Sequence, residues 1–243
     1  MKGKTALVTG AGRRIGAVIV RTLHAVGMNV VIHYHQSSTD AKKLSAALNA
    51  ERAGSASIFQ ADLVNRETYG PLVEAACEFG GGLDVLVNNA SAFYPTTIGS
   101  TTYEQWEEII ATNLTAPFFL AQHAAPALRR HGGCIINITD IHAARPLKEH
   151  AVYSTAKAGL EMLTRALAKD LGPDIRVNGV APGAILWPGG MSDDLKGRII
   201  SHTMLKRVGT PDDISAAVRF LVLEANYMTG QVLTVDGGRT LYS

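Results

Sequence analysis

Three side chains in one short stretch have types and spacing suited to proton transfer. Tyr153 and Lys157 are four residues apart in a segment, Ala151 to about Leu171, whose apolar positions recur at helical spacing. They therefore share one helix face. Asp140 follows the β-branched apolar run Cys134–Ile138, which reads as a buried strand. It stands at the carboxyl end of that strand, where parallel α/β sheets place their ligands. A phenol with a pKa of about 10 is a poor acid or base at neutral pH, and a neighbouring ammonium stabilises the phenolate. The spacing predicts Tyr153 as proton donor and Lys157 as the group that lowers its pKa. Taken alone, the same spacing also fits an amphipathic helix whose Tyr and Lys are incidental.

A second constellation lies near the start of the chain. Gly10, Gly12 and Gly16 fall between a β-type run, Thr5–Val8, and a helical pattern running to about Val26. Glycines there permit a tight turn, and the N–H groups of the helix start can cradle a pyrophosphate. The second strand, Asn29–Tyr34, leads into His35, Gln36, Ser37 and Ser38, with no acid before Asp40. A carboxylate at that point would grip the 2′-hydroxyl of an adenosine ribose. Its absence, with Arg13 and Arg14 in the glycine turn, predicts a 2′-phosphate and hence NADPH. His33 and His35 could instead ligate a metal, but no third ligand is visible and no metal is expected.

The elements that must position these groups alternate strand and helix. After the second strand come a helix over Thr39–Arg52, a strand over Ser55–Gln60, a helix over Arg66–Phe79 stopped by Gly80–Gly82, and a strand over Leu83–Val87. A long helix over Tyr103–Arg130 follows, with a break expected at Pro117. Beyond the Cys134 strand and the Tyr153 helix lie a strand over Ile175–Val180, a helix over Pro211–Leu223 and a strand over Gln231–Val235. This alternation predicts an α/β fold: a doubly wound, mostly parallel seven-stranded sheet with helices on both faces, of Rossmann type. The 243 residues, 47% hydrophobic and 18% charged, suit one domain spanning 1–243. The segment 184–205, irregular at least to Asp194, is expected to form a substrate loop, with Leu186, Trp187 and Met191 as candidate wall residues.

A net charge of +2 without a basic run argues against nucleic acid, and no apolar run suggests a membrane span. Cys77 and Cys134 are far apart, which fits a reduced compartment. With no signal-peptide pattern at the N-terminus, a cytoplasmic location is expected.

Thr9, Gly10, Gly16, Asp62, Asn88–Ala90, Asn113, Tyr153, Lys157, Pro182 and Gly183 stand in an order that resembles the short-chain dehydrogenase/reductase family over essentially the whole chain. The resemblance implies that Asp62 and Leu63 border the adenine. It implies that Gly10, Arg13, Arg14, Ile15, His33, His35, Gln36, Ser37, Asn89, Ala90, Ser91, Thr139, Lys157, Pro182 and Gly183 bind the cofactor. It also implies that Asn113 joins a water-mediated proton relay with Lys157.

Two departures narrow the reading. Most members carry Gly where Arg14 stands and Ser where Asp140 stands. A carboxylate would repel a ketone oxygen and its developing alkoxide, and suits a substrate rich in N–H donors. These substitutions, with His33–Ser37 and Asn89–Pro95, resemble the pteridine reductases and the dihydromonapterin and dihydrofolate reductases. That likeness implies hydride transfer to a C=N bond of a dihydropterin or dihydrofolate. Phe93 would stack on the ring, and Arg14, Ser91, Asp140 and Tyr153 would contact the substrate. Gln36 departs from the basic residue usual there. The alternative is an NADPH-dependent carbonyl reductase of the 3-oxoacyl type. The apolar helices Tyr103–Arg130 and Ala151–Leu171 imply, by the same resemblance, a homotetramer or dimer.

Overall fold

The computed structural model describes residues 1–187 and 189–242. Seven strands form one sheet: β1 (Thr5–Val8), β2 (Asn29–Tyr34), β3 (Ala56–Gln60), β4 (Val85–Asn88), β5 (Cys134–Ile138), β6 (Arg176–Pro182) and β7 (Val232–Val235). Their order is β3-β2-β1-β4-β5-β6-β7, and every pairing is parallel. Helices α1 (Arg14–Ala25), α2 (Ser38–Glu51), α3 (Tyr69–Gly80), α4 (Tyr103–Ile110), α5 (Ala116–His131), α6 (Ala151–Leu171), α7 (Asp193–Ser201) and α8 (Pro211–Leu223) connect them.

The strands are apolar on both faces because helices cover both. Alternation along each strand sends Ala6, Val8, Val30, Ile32, Val85 and Val87 to one side, packed with residues of α1, α2 and α8. Leu7, Val31, Leu86, Ile135 and Val177 go to the other, against α3, α5 and α6. Strand order reverses direction between β1 and β4, so the chain leaves these two carboxyl ends toward opposite faces and opens a crevice there. The helices are punctuated by local chemistry. Thr102 with Gln105 caps α4, and Thr210 with Asp213 caps α8, each in a reciprocal capping box. Gly81 and Gly132 close α3 and α5 in the left-handed conformation.

Three expectations change. The helix expected from Arg66 begins as a 3-10 turn, Arg66–Thr68, and becomes α-helical at Tyr69. The break in the long helix is not at Pro117. It is a π-turn, Ala111–Thr115, that ends two residues before Pro117, whose missing N–H falls in a run helical from Tyr103 to His131. The segment 184–205 is irregular only at first: Ser192 accepts from the Leu195 N–H and starts α7, with Asp193 and Asp194 in the favourable first turn. Pro188 in this segment lies outside the described residues, Trp187 is half-buried, and Leu186 and Met191 remain partly exposed.

Candidate active site

The crevice between β1 and β4 is built by backbone contact. Gly10, at φ +60, lies where a Cβ would stand 2.8 Å from the Ala90 Cα. A Cβ at Gly12 would run into Ser37 Oγ. Thr9 Oγ1 accepts from the Asn89 and Ala90 N–H groups at 2.9 and 3.0 Å, and Asn89 Nδ2 donates to the carbonyls of Thr9 and Gly10 at 2.8 and 3.1 Å. The turn thus keeps a bare backbone surface at the start of α1, the cradle that a dinucleotide pyrophosphate requires. Arg13 and Arg14 rise exposed from it. Arg14 holds φ +55, a left-handed conformation that a residue with a Cβ adopts at a cost of about 1–2 kcal/mol.

His33 is not on the crevice surface. It is 2% exposed beneath the turn, where Nδ1 accepts from the Gly10 N–H at 3.0 Å and Nε2–H donates to the Ala61 carbonyl at 3.1 Å. Both ring nitrogens are committed, and burial pushes its pKa down to about 4. The expectation of a direct cofactor contact is therefore corrected: the neutral imidazole braces the glycine turn. His35 and Gln36 are exposed, with His35 Nε2 3.8 Å from Asp62 Oδ2. Leu63 is buried against the second core, Ile15 is half-buried against the first, and Thr139 Oγ1 donates to Val180 O within the sheet. Pro182 ends β6, and Gly183 packs against Asp236, whose Cα a Cβ would approach to 2.7 Å. Among the described residues no group of three or more His, Cys, Asp or Glu side chains is placed to hold a metal.

At the other end of the crevice, the Tyr153 hydroxyl donates to Asp140 Oδ2 at 2.7 Å, and the second carboxylate oxygen accepts from the His142 N–H at 2.8 Å. Asp140 reaches this position as an extended residue capping the 3-10 turn Ile141–Ala143 after β5. Tyr153 is 4% exposed. Lys157, one turn further along α6 and fully buried, donates to the Ile138 carbonyl at 2.9 Å, with Nζ 5.7 Å from the Tyr153 ring centre.

The expected tuning is reversed here. Burial, then the charge and hydrogen bond of Asp140, raise the Tyr153 pKa well above its ordinary value, with only a smaller opposing pull from Ser91. Burial also lowers the Lys157 pKa to about 8, against the pull of Asp140. The phenol is held protonated, its hydroxyl donating to Asp140.

Asn113 lies in the π-turn, fully buried. Its Oδ1 accepts from the Ser91 hydroxyl at 2.7 Å, and its Nδ2 donates to the Ala92 and Ile109 carbonyls, both at 2.9 Å. Its side chain is committed to the Ser91 loop; Lys157 makes its own bond to Ile138 O. The widened turn aims a side chain that a regular helix would place elsewhere, as π-bulges at functional sites often do.

Phe93 is 43% exposed and meets the edge of Tyr153 at 4.8 Å. It also stacks on His150, with ring centres 4.8 Å apart. A parallel bridge between Thr96 and His150 holds the two loops together. His150 and His142 belong to this cluster, and sequence reasoning missed them. For His150 a signal exists: it is three residues before Tyr153, on the same side of the α6 start. His142 carries no such periodicity.

The family model described as Enoyl-(Acyl carrier protein) reductase matches residues 10–240. The chain belongs to the short-chain dehydrogenase/reductase family. It is 36% identical over 250 residues to 3beta-hydroxysteroid dehydrogenase 1 of Eggerthella lenta, covering 100% of this chain and 95% of the relative. It is 37% identical over 280 residues to Pteridine reductase 1 of Leishmania tarentolae, covering 97% and 96%. To the 3-oxoacyl-[acyl-carrier-protein] reductase of a Synechocystis species it is 36% identical over 247 residues, covering 100% and 99%. This short-chain dehydrogenase/reductase is thus an oxidoreductase of a nicotinamide-using family. No described helix is long and apolar enough to cross a membrane.

Proposed function

We propose that this enzyme is an NADPH-dependent pteridine reductase, reducing a C=N bond of a dihydropterin such as dihydrobiopterin, dihydromonapterin or dihydrofolate. The observation that carries the reading is the 2.7 Å hydrogen bond from Tyr153 to Asp140. A ketone reductase needs a neutral donor aimed at an oxygen that becomes negative. Here the pocket instead holds a carboxylate, and burial together with that carboxylate makes the phenol a weaker acid. A ring nitrogen flanked by N–H donors suits the same carboxylate as a hydrogen-bond partner. The similarity to a pteridine reductase supports this reading.

The cofactor, when bound, supplies the hydride. The glycine turn and the start of α1 would hold its pyrophosphate, and Arg13, Arg14, His35, Gln36 and Ser37 would meet its 2′-phosphate. Ala90, Ser91, Asp62 and Leu63 would line its path, and Lys157 would hold the ribose near Thr139, Pro182 and Gly183. Asn89 acts by clamping the turn. Asp140 and Tyr153 hold the proton destined for the ring nitrogen, Asn113 fixes Ser91 beside them, and Phe93 offers a flat wall. Fixing a ring between such groups accelerates the reaction by orientation. A homotetramer in the cytoplasm, with one substrate site per 1–243 domain closed by the segment 184–205, completes the proposal.

Comparable identity to a 3-oxoacyl reductase makes a carbonyl reductase the second reading. Following NADPH oxidation with a panel of dihydropterins and 3-oxoacyl thioesters separates the two. Dihydropterin turnover without thioester turnover is expected, and the reverse pattern would overturn the assignment.

A further inference from the structure

A chain of contacts runs outward from the Tyr153–Asp140 pair and ends on His202, at the end of α7. Asp140 accepts from the His142 N–H at 2.8 Å. The His142 ring donates through Nδ1 to the Arg145 carbonyl at 2.9 Å. The Arg145 guanidinium then reaches across to donate to the main-chain carbonyl of Tyr242. The ring of Tyr242 lies flat on that of His202, with centres 3.9 Å apart and planes 13° apart. His202 is the residue that terminates α7.

Tyr242 is delivered there by a built turn. Asp236 accepts from the Gly238 and Thr240 N–H groups at 2.8 and 2.7 Å. Gly237 and Gly238 both take left-handed φ, and the Leu205 N–H donates to the Gly237 carbonyl at 3.0 Å. The loop after Asp140 and the end of helix α7 are therefore joined through one residue.

We propose that Tyr242 is a clasp between the Asp140 loop and α7, and that Arg145, His202 and Tyr242 are positioning residues for the substrate end of the site. Arg145 holds the loop in the register that presents both Asp140 oxygens, one to His142 and one to Tyr153. The Tyr242–His202 stack holds the end of α7 to the same point. This rests on the reading that Asp140 takes part in the reaction, but not on which substrate is reduced.

The test uses the full chain, with Arg145→Ala, Tyr242→Ala, their double variant and Tyr242→Phe. It reads kinetics on whichever oxidised substrate the wild type reduces, and hydrogen exchange of the α7 backbone amides without substrate. Each alanine variant is expected to lower kcat/KM roughly tenfold, with unchanged NADPH binding and melting temperature. The double variant is expected to be no worse than either single one, because both break one connection. Tyr242→Phe keeps the ring and the carbonyl, so wild-type behaviour is expected. Faster α7 exchange in Tyr242→Ala is the matching structural readout. Additive kinetic losses, or unchanged α7 exchange, overturn the clasp. Faster exchange in an enzyme that ignores every dihydropterin leaves the clasp standing and removes the pterin reading instead.

Discussion

The two ends of the crevice are built on different principles. At the glycine turn the determining atoms are backbone. Gly10 touches Ala90, Gly12 makes room for Ser37, and Thr9 and Asn89 lace β1 to the end of β4. At the other end the determining atoms are side-chain oxygens and nitrogens, two of which, on Tyr153 and Lys157, are buried where their charged forms are unwelcome. A site built from backbone tolerates little change in shape and keeps a fixed preference for an anion. A site built from buried polar side chains can change its reaction with one substitution. The contrast explains how relatives named for a hydroxysteroid, a pteridine and a 3-oxoacyl-[acyl-carrier-protein] can share similar identity with this chain across nearly its full length.

The sharpest way to break the comparison is at the side-chain end. Tyr153→Phe removes the phenol hydroxyl without touching the glycine turn. Turnover is expected to fall by a factor of about 10²–10⁴, the usual contribution of a positioned acid, while NADPH binding measured by fluorescence titration stays within about twofold. A parallel loss of cofactor affinity would show that the two ends are not separable.

The second test falls on His33, a titratable group buried under the backbone-built end. Its pKa is near 4 in the folded protein against an ordinary 6.5. Between those values the unfolded chain binds the proton more readily, so stability must fall as pH drops from about 6.5 toward 4. That depression corresponds to roughly 3 kcal/mol at most. Urea unfolding at pH 7 and pH 4.5 should show a loss in the wild type that His33→Gln lacks. Equal pH sensitivity in both would remove His33 from the account.

Arg14 gives the smallest and most diagnostic effect. Arg14→Gly relieves a left-handed residue and should raise stability by up to about 1 kcal/mol, after allowance for the greater freedom of glycine in the unfolded chain. It should simultaneously weaken NADPH binding. A variant that is both less stable and unchanged in affinity would mean that the guanidinium serves the fold rather than the site.

Legibility follows the same division. The strand–helix alternation and the glycine turn are readable because each depends on local pattern: β-branched runs, turn residues and caps close in sequence. The positions of Tyr153 and Lys157 on one helix face follow from a four-residue spacing. What the sequence does not announce is where polar groups end up relative to one another. Tyr153 is placed beside a lysine by helical geometry, yet its proton affinity is governed by burial and by Asp140, thirteen residues away across a loop. His33 sits in a run that points to cofactor binding, but strand alternation turns it inward to Gly10 and Ala61. The π-turn escapes pattern reading because one extra residue in a helix leaves composition and amphipathicity almost untouched.

That extra residue has a consequence for how the enzyme can vary. Because Ala111–Thr115 winds more loosely than its surroundings, α4 and α5 are out of phase with each other, and the sequence on either side can drift independently provided the count between Thr102 and Gly132 is kept. Loss of a single amino acid there would not simply shorten a helix; it would rotate Asn113 away from Ser91 and uncouple the loop that carries Phe93. Length in this stretch matters alongside the identity of Asn113, since both set its bond to Ser91.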